Sequence, residues 1–278
     1  MKALYVTDLH GVEWKYDRLL KIAKDLQVKV VINGGDMLTN NNEQGEFING
    51  YLNKHFSEFK AAKIYYLCML GNDDLRIFDD LFERLCMRYP FIVNLAQRKY
   101  KIENFEFIGF NLVVDYPFRL KDRCRMDTAD YVFQPQHGTG VLSVPPNGWQ
   151  ELDDWPSYAR TFPTIEEELN RLVLPENMEN AIYVIHMPPY GIGLDKIYRG
   201  SEHGSKAVYN FLKQHQPRMA LHGHIHEAPD VTGAWYSTIG KTVCIQPGQL
   251  TEFGQSNELT YVVIDLSTMK YERKKLRK

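Results

Sequence analysis

The chain has little of what a membrane protein, a secreted protein or a nucleic-acid binder requires. Its four cysteines, Cys68, Cys86, Cys124 and Cys244, are scattered with no C-x-x-C pair, which predicts reduced, mostly buried thiols in a cytosolic protein. No apolar run approaches the roughly 20 residues of a membrane span. The apolar start "MKALYVT" stops at Asp8, too early for the core of a signal peptide. These absences predict a cytoplasmic protein with no membrane partner. Lys and Arg number 33 against 35 Asp and Glu, a net charge of −2. So balanced a chain offers no general field for a nucleic-acid backbone, whose affinity rests on clustered Lys and Arg. The basic end "KYERKKLRK" reads as a solvated tail. Signatures of other chemistries are missing as well: there is no G-x-S-x-G, no H-E-x-x-H and no G-x-x-x-x-G-K-[ST].

What is present is a chain of 278 residues, 44% hydrophobic, enough for one large core. Short apolar strands at 3–7, 28–33 and 63–70 alternate with helical patterns at 17–26 and 47–59. Near-continuous apolar strands separated by amphipathic helices predict an α/β (α+β) fold in which helices cover a sheet. Residues 100–114 read as a hairpin turning around Asn104. A helix at 164–173 opens with a capping box, Thr164 and Glu167. Strands at 181–185 and 218–222 flank a helix at 205–215, and the remaining tail is β-rich. Residues 115–163 lose periodicity and read as an excursion or lid within a single domain spanning 1–278.

One short stretch poses the functional question. "MLGNDDLR" (69–76) ends a buried strand with Gly71 and Asn72, then two carboxylates, Asp73 and Asp74. These could cap the next helix, hold a metal or act as an acid. Other strands end alike: Asp8-Leu9-His10 follows the first, Gly34-Gly35-Asp36 the second, His186 the strand at 181–185, and His222-Gly223-His224-Ile225-His226 the strand at 218–222. In sheets with helical crossovers the carboxyl ends of strands line one crevice, so these residues are expected to converge. D-x-H and H-x-H, two residues apart on an extended segment, would point the same way. Imidazole, carboxylate and amide oxygens suit Mn, Fe, Zn, Co or Ni. Seven such ligands fit two ions about 3.5–4 Å apart sharing one carboxylate.

In this order, D-x-H, G-D, G-N-x-D, a lone His and G-H-x-H resemble the calcineurin-like metallophosphoesterases, over residues 8–226. The resemblance implies a metallophosphoesterase-type β-sandwich of two mixed sheets flanked by helices. It further implies one ion on Asp8, His10 and His226, a second on Asn72, His186 and His224, and Asp36 between them, with Mn favoured. The implied activity is hydrolysis of a small phosphate ester or nucleotide by a metal-bound hydroxide. Many members carry G-N-H-D or G-N-H-E, where the His assists the leaving group; here Asp73 replaces it and Asp74 keeps the acidic position. Losing a general acid, worth roughly 10²–10⁴ in rate, hurts poor leaving groups most. Small family phosphodiesterases with Cys at that place still cleave diesters, so a phosphodiesterase is expected ahead of a phosphomonoesterase. A non-catalytic metal-binding scaffold and a nuclease are the other readings.

Further candidates are Asp73 as a rerouted acid or a helix cap, and Asp74 and His222 as supports behind the ligands. Arg119, Arg123, Arg125 and His203 are candidates for the substrate. Trp149, Trp155 and Tyr158 would either stack a base or pin the excursion to the body. His55, His137 and His215 read as surface residues, and a homo-oligomer stays open.

Overall fold

The computed structural model describes residues 1–39, 43–249 and 257–278. In chain order it contains β1 (Lys2–Val6), α1 (Glu13–Asp25), β2 (Val30–Asn33), α2 (Gln44–Phe47), a π-helical turn (Ile48–Leu52), α3 (Asn53–Ala62) and β3 (Tyr65–Cys68). Next come α4 (Asp79–Met87), β4 (Ile92–Asn94), β5 (Lys99–Ile102), β6 (Phe105–Phe110), β7 (Val113–Val114) and β8 (Cys124–Arg125). A hairpin of β9 (Gly140–Val144) and β10 (Gly148–Leu152) precedes α5 (Trp155–Ala159), α6 (Ile165–Arg171), β11 (Ala181–Ile185), α7 (Lys206–His215) and β12 (Met219–Leu221). The chain closes with α8 (Ala228–Thr232), β13 (Tyr236–Ile239), β14 (Thr242–Ile245), β15 (Glu258–Asp265) and β16 (Lys270–Arg277).

Two six-stranded mixed sheets result, in the orders β16-β15-β1-β2-β3-β4 and β13-β14-β12-β11-β6-β5. Strand periodicity explains how they pack. Ala3 and Tyr5, Val30 and Ile32, and Leu67 face Phe107, Ile182, Val184, Met219 and Leu221 in a core between the sheets. Their neighbours Leu4, Val6 and Val31 face α1, α3 and α4 instead, while Ala181, Tyr183 and Ile185 pack against α6 and α7. Each of these central strands is buried on both faces, which is why its sequence is apolar without alternation. The expected sandwich of mixed sheets flanked by helices is therefore the architecture observed. All four cysteines are buried and free. Among the described residues, no helix is long and apolar enough to cross a membrane.

Local expectations fare unevenly. The capping box forms, with the Glu167 N–H donating to Thr164 Oγ1 (3.1 Å) and the Thr164 N–H to Glu167 Oε2 (2.8 Å), and β5–β6 make the expected hairpin. The pattern at 47–59 spans a π-helical turn, which widens the helix by a residue and keeps Phe47 and Phe56 buried on one side. The 115–163 stretch is not element-free: it contains β8, the β9–β10 hairpin and α5. "KYERKKLR" is not a solvated tail but an edge strand, paired antiparallel with β15; its charges suit an edge that must not recruit another strand.

His55 is not at the surface. It is 1% exposed and lies stacked on Tyr51, with Tyr16, Phe59 and Tyr66 edge-on around it. Neither ring nitrogen has a hydrogen-bond partner. Burial lowers its pKa from 6.5 to about 3, so as pH falls the unfolded chain takes up this proton first. The contribution is fully present above pH 6.5 and is lost progressively towards pH 3. At pH 5 the loss is about 2 kcal/mol. Urea unfolding at pH 7.5 and 5.0 should show that His55→Phe loses about 2 kcal/mol less than wild type between the two.

Candidate metal centre

The two sheets meet at the carboxyl ends of β1, β2, β3, β11 and β12. Past β1 and β2 the chain remains zipped: the N–H groups of Asp8, His10 and Gly11 donate to the carbonyls of Gly35, Asp36 and Met37, each at 2.9 Å. The backbone there is not extended, contrary to the expectation for D-x-H and H-x-H. Asp8 (φ 56°), His10 (φ 45°), Asp36 (φ 49°) and His224 (φ 65°) all adopt the left-handed conformation. Tight turns, not strand alternation, bring the side chains together. Non-glycine residues pay for that conformation, and such strain concentrates at functional sites. The glycines reflect close approach. A Cβ on Gly71 would lie 2.2 Å from Asp36 Oδ1, and one on Gly223 would lie 2.8 Å from Asp8 Oδ2.

The convergence is dense. Ligand atoms of Asp8, His10 and Asp36 lie within 4.8 Å of one another, and so do those of Asp36, His186 and His224. Asp36 belongs to both groups. Asn72 Oδ1 is 3.0 Å from His186 Nε2 and 2.6 Å from His224 Nδ1. His226 belongs to neither group: its ring lies edge-on to that of His10 at 6.1 Å between centroids, and its Nδ1 is 3.5 Å from Glu227 Oε2. His186 Nδ1 donates to the Gly34 carbonyl at 2.9 Å, which turns Nε2 towards Asp36 and Asn72 and fixes the ring as a ligand would need.

Electrostatics follow from burial. Burial opposes charge on Asp36, but His186, His10 and the Asp73 N–H outweigh it and hold the carboxyl well below the usual range. Burial would lower His186, yet the Asp36 carboxylate 3.2 Å away lifts it to about 9. Burial and the His186 charge depress His224 to about 3. Asp8 is fully buried, and its Oδ2 has no hydrogen-bond partner. An ionised oxygen so placed is costly unless a cation meets it. The residues thus fit divalent metal.

The paired carboxylates take different roles, and neither caps a helix: α4 follows Phe78, with no side-chain cap. Asp74 is fully buried and accepts N–H bonds from Met37 (2.9 Å), Leu38 (2.7 Å) and Gly71 (2.7 Å), clamping the β2 and β3 turns together. Asp73 stands at the mouth, its side chain 43% exposed and Oδ2 3.8 Å from His10 Nδ1. Burial and the Asp36 charge push it up to about 7, a push that solvent at so exposed a side chain moderates.

His222 lies behind the turn. Its Nδ1 faces the carbonyls of Ile185 (2.9 Å) and Met187 (3.1 Å), and burial lowers its pKa to about 4, so the ring is a neutral brace. His203 sits 2.9 Å from Ser201 Oγ and close enough to His224 for its charge to disfavour a proton there. Of the arginines, Arg123 is committed to the fold and not to a substrate. Arg123 is 5% exposed and donates to the Gly71 carbonyl (2.7 Å) and to Asp79 (2.6 Å), bracing the ligand turn and leaving no fork for substrate. Arg125 stacks on Phe162 at 4.3 Å, and Arg119 pairs with Glu151 at 3.2 Å. Of the aromatics, Trp155 is buried in the cluster that holds Phe110 and Ile185 of the body and donates to Asp115 (2.8 Å) within the excursion, while Trp149 is 48% exposed.

Two residues at the site carried no motif. Tyr116 lies 5.8 Å from the His224 ring, brought there by packing that leaves no local signal. Buried Gln44 donates to the Thr39 and Asp73 carbonyls, each at 2.9 Å, and accepts from the Leu75 N–H at 2.8 Å. Nothing local distinguishes it from a surface glutamine.

A cluster of this donor chemistry at the ends of two packed mixed sheets is a candidate site for divalent metal. Residues 1–228 match the model of the calcineurin-like phosphoesterases. The chain belongs to that family and is a metal-dependent phosphoester hydrolase acting on small phosphate esters. Among solved structures, TT1561 of Thermus thermophilus is similar at 17% identity over 98% of this chain and 97% of its own, with a TM-score of 0.60. A dimetal phosphatase from Danio rerio is similar at 13% identity over 89% and 87%, with a TM-score of 0.51. Another shares 20% identity over 98% of both chains, with a TM-score of 0.61. At these identities the likeness is one of fold. A search of curated proteins finds no match.

Proposed function

We propose that the cluster holds two divalent cations bridged by Asp36, with Asp8, His10 and His226 on one and Asn72, His186 and His224 on the other. The substrate is a small phosphodiester in preference to an alkyl monoester. The observation that carries this reading is the membership of Asp36 in both ligand groups. When bound, such a pair of cations acidifies water and draws charge from phosphorus. The imidazole, carboxylate and amide donors accommodate Mn²⁺, and the four buried free thiols suit a reducing, cytoplasmic setting.

The chain's own residues set the preference for diesters. Asp73 occupies the mouth beside His10, and cations nearby would draw off its proton, leaving a carboxylate. That carboxylate donates nothing to a leaving group. It also repels a dianionic monoester more than a monoanionic diester. Asp74 and Arg123 keep the Gly71–Asp74 turn in place throughout.

The test compares bis-p-nitrophenyl phosphate with p-nitrophenyl phosphate on protein stripped by chelation and reloaded with Mn²⁺. Turnover should require the metal, favour the diester and disappear in Asn72→Ala. Preference for the monoester would overturn the reading of Asp73, and no turnover in protein that binds two ions would overturn the activity.

A further inference from the structure

Rings of the 115–121 segment form a chain of contacts that begins at a candidate metal ligand. The Tyr116 ring is 5.8 Å from that of His224, the Phe118 ring 5.8 Å from that of Tyr116, and the His137 ring 5.8 Å from that of Phe118. Phe118 is 64% exposed, so much of its ring remains uncovered after these contacts. A lone exposed phenylalanine would call for no explanation. This one is the end of a built arm. Asp115 and Lys121, both side chains fully buried, pair at 2.8 Å beneath it. Lys121 also donates to the Tyr116 carbonyl and lies over the Tyr116 ring at 5.1 Å. Trp155 Nε1 (2.8 Å) and Gln136 Nε2 (3.0 Å) donate to the Asp115 carboxylate, and the His137 N–H donates to the Pro117 carbonyl at 2.7 Å.

We propose that Phe118 is a specificity-determining residue, a platform for the base of a nucleoside phosphate ester whose phosphorus lies at the metal cluster. The proposal rests on the phosphodiesterase reading above and names its substrate class. Phe118 is two ring contacts from His224 and largely exposed, a span that a base one sugar away from phosphorus can cover. Base–aromatic stacking contributes about 1–3 kcal/mol and tolerates any base. Tolerance is expected here, because the Gln134 and Gln136 amides that could read a base edge are both bonded to Asp115.

The test uses Mn²⁺-loaded full-length protein and Phe118→Ala, a change at an exposed side chain, with Phe118→Trp as the conservative variant. Calorimetry measures binding of thymidine 5′-phosphate. Kinetics compare thymidine 5′-(p-nitrophenyl phosphate) with methyl p-nitrophenyl phosphate. Phe118→Ala should weaken thymidine 5′-phosphate about fivefold or more and raise KM for the nucleotide diester alike, with kcat unchanged. The methyl diester should be unaffected, and Phe118→Trp should bind like wild type. Equal binding by Phe118→Ala and wild type, or equal losses on both diesters, would overturn the platform. Absence of turnover on both diesters would overturn the phosphodiesterase reading instead, and the binding measurement would still decide on Phe118.

Discussion

Asp36→Asn should lower diester turnover by about 10³, the consequence of several kcal/mol of charge stabilisation withdrawn from the transition state. The substitution is nearly isosteric. An amide oxygen can still accept the Asp73 N–H now held at 2.9 Å, so the β2 and β3 turns should keep their geometry. What disappears is the one negative charge common to the two ligand groups. His186 also loses the carboxylate that raises it to about 9, and reverts to a histidine that burial keeps neutral. Steady-state rates on bis-p-nitrophenyl phosphate, with near-ultraviolet circular dichroism as the control for folding, measure the effect. An unchanged rate would remove Asp36 from the centre.

Lys121→Ala should have the largest effect on stability. Lys121 and Asp115 form an ion pair with neither side chain exposed, and removing one partner of such a pair typically costs about 3–5 kcal/mol, because the other charge stays buried. Asp115 would keep Trp155 and Gln136 as donors, but no cation. In a chain of this size the loss corresponds to a fall in Tm of roughly 5–9 °C. Asp115→Leu combined with Lys121→Met should recover only part of it, since removing both charges is often neutral or stabilising but leaves the buried Trp155 N–H without its acceptor. Thermal unfolding of the three proteins decides the matter. A single variant as stable as wild type would show that the pair does not hold the excursion.

The convergence of the candidate ligands was readable from sequence because its signal is chemical. Asp8, Asp36, Asn72, His186 and His224 each follow a strand, and parallel topology gathers strand ends whatever the local turn. The expected extended geometry was wrong, since Asp8, His10 and His224 turn left-handed, yet the identity of the cluster did not depend on it. Where partners are remote, the residue type misled. Arg123 looked like a phosphate ligand, but its carbonyl and carboxylate partners lie 52 and 44 residues away. His55 looked solvated, but four aromatic rings from α1, α3, β3 and the turn between helices enclose it. Tyr116 was missed for the same reason: only the packing of the excursion against β11 and β12 brings it to His224. Sheet assembly was legible because strands buried on both faces leave an unbroken apolar record.

Electron paramagnetic resonance of the Mn²⁺-loaded protein, with elemental analysis for stoichiometry, tests the shared centre most directly. Two Mn²⁺ per chain with an exchange-coupled spectrum, the coupling lost in Asp36→Asn, is the predicted result. One ion per chain, or two ions with uncoupled spectra in the wild type, would contradict it.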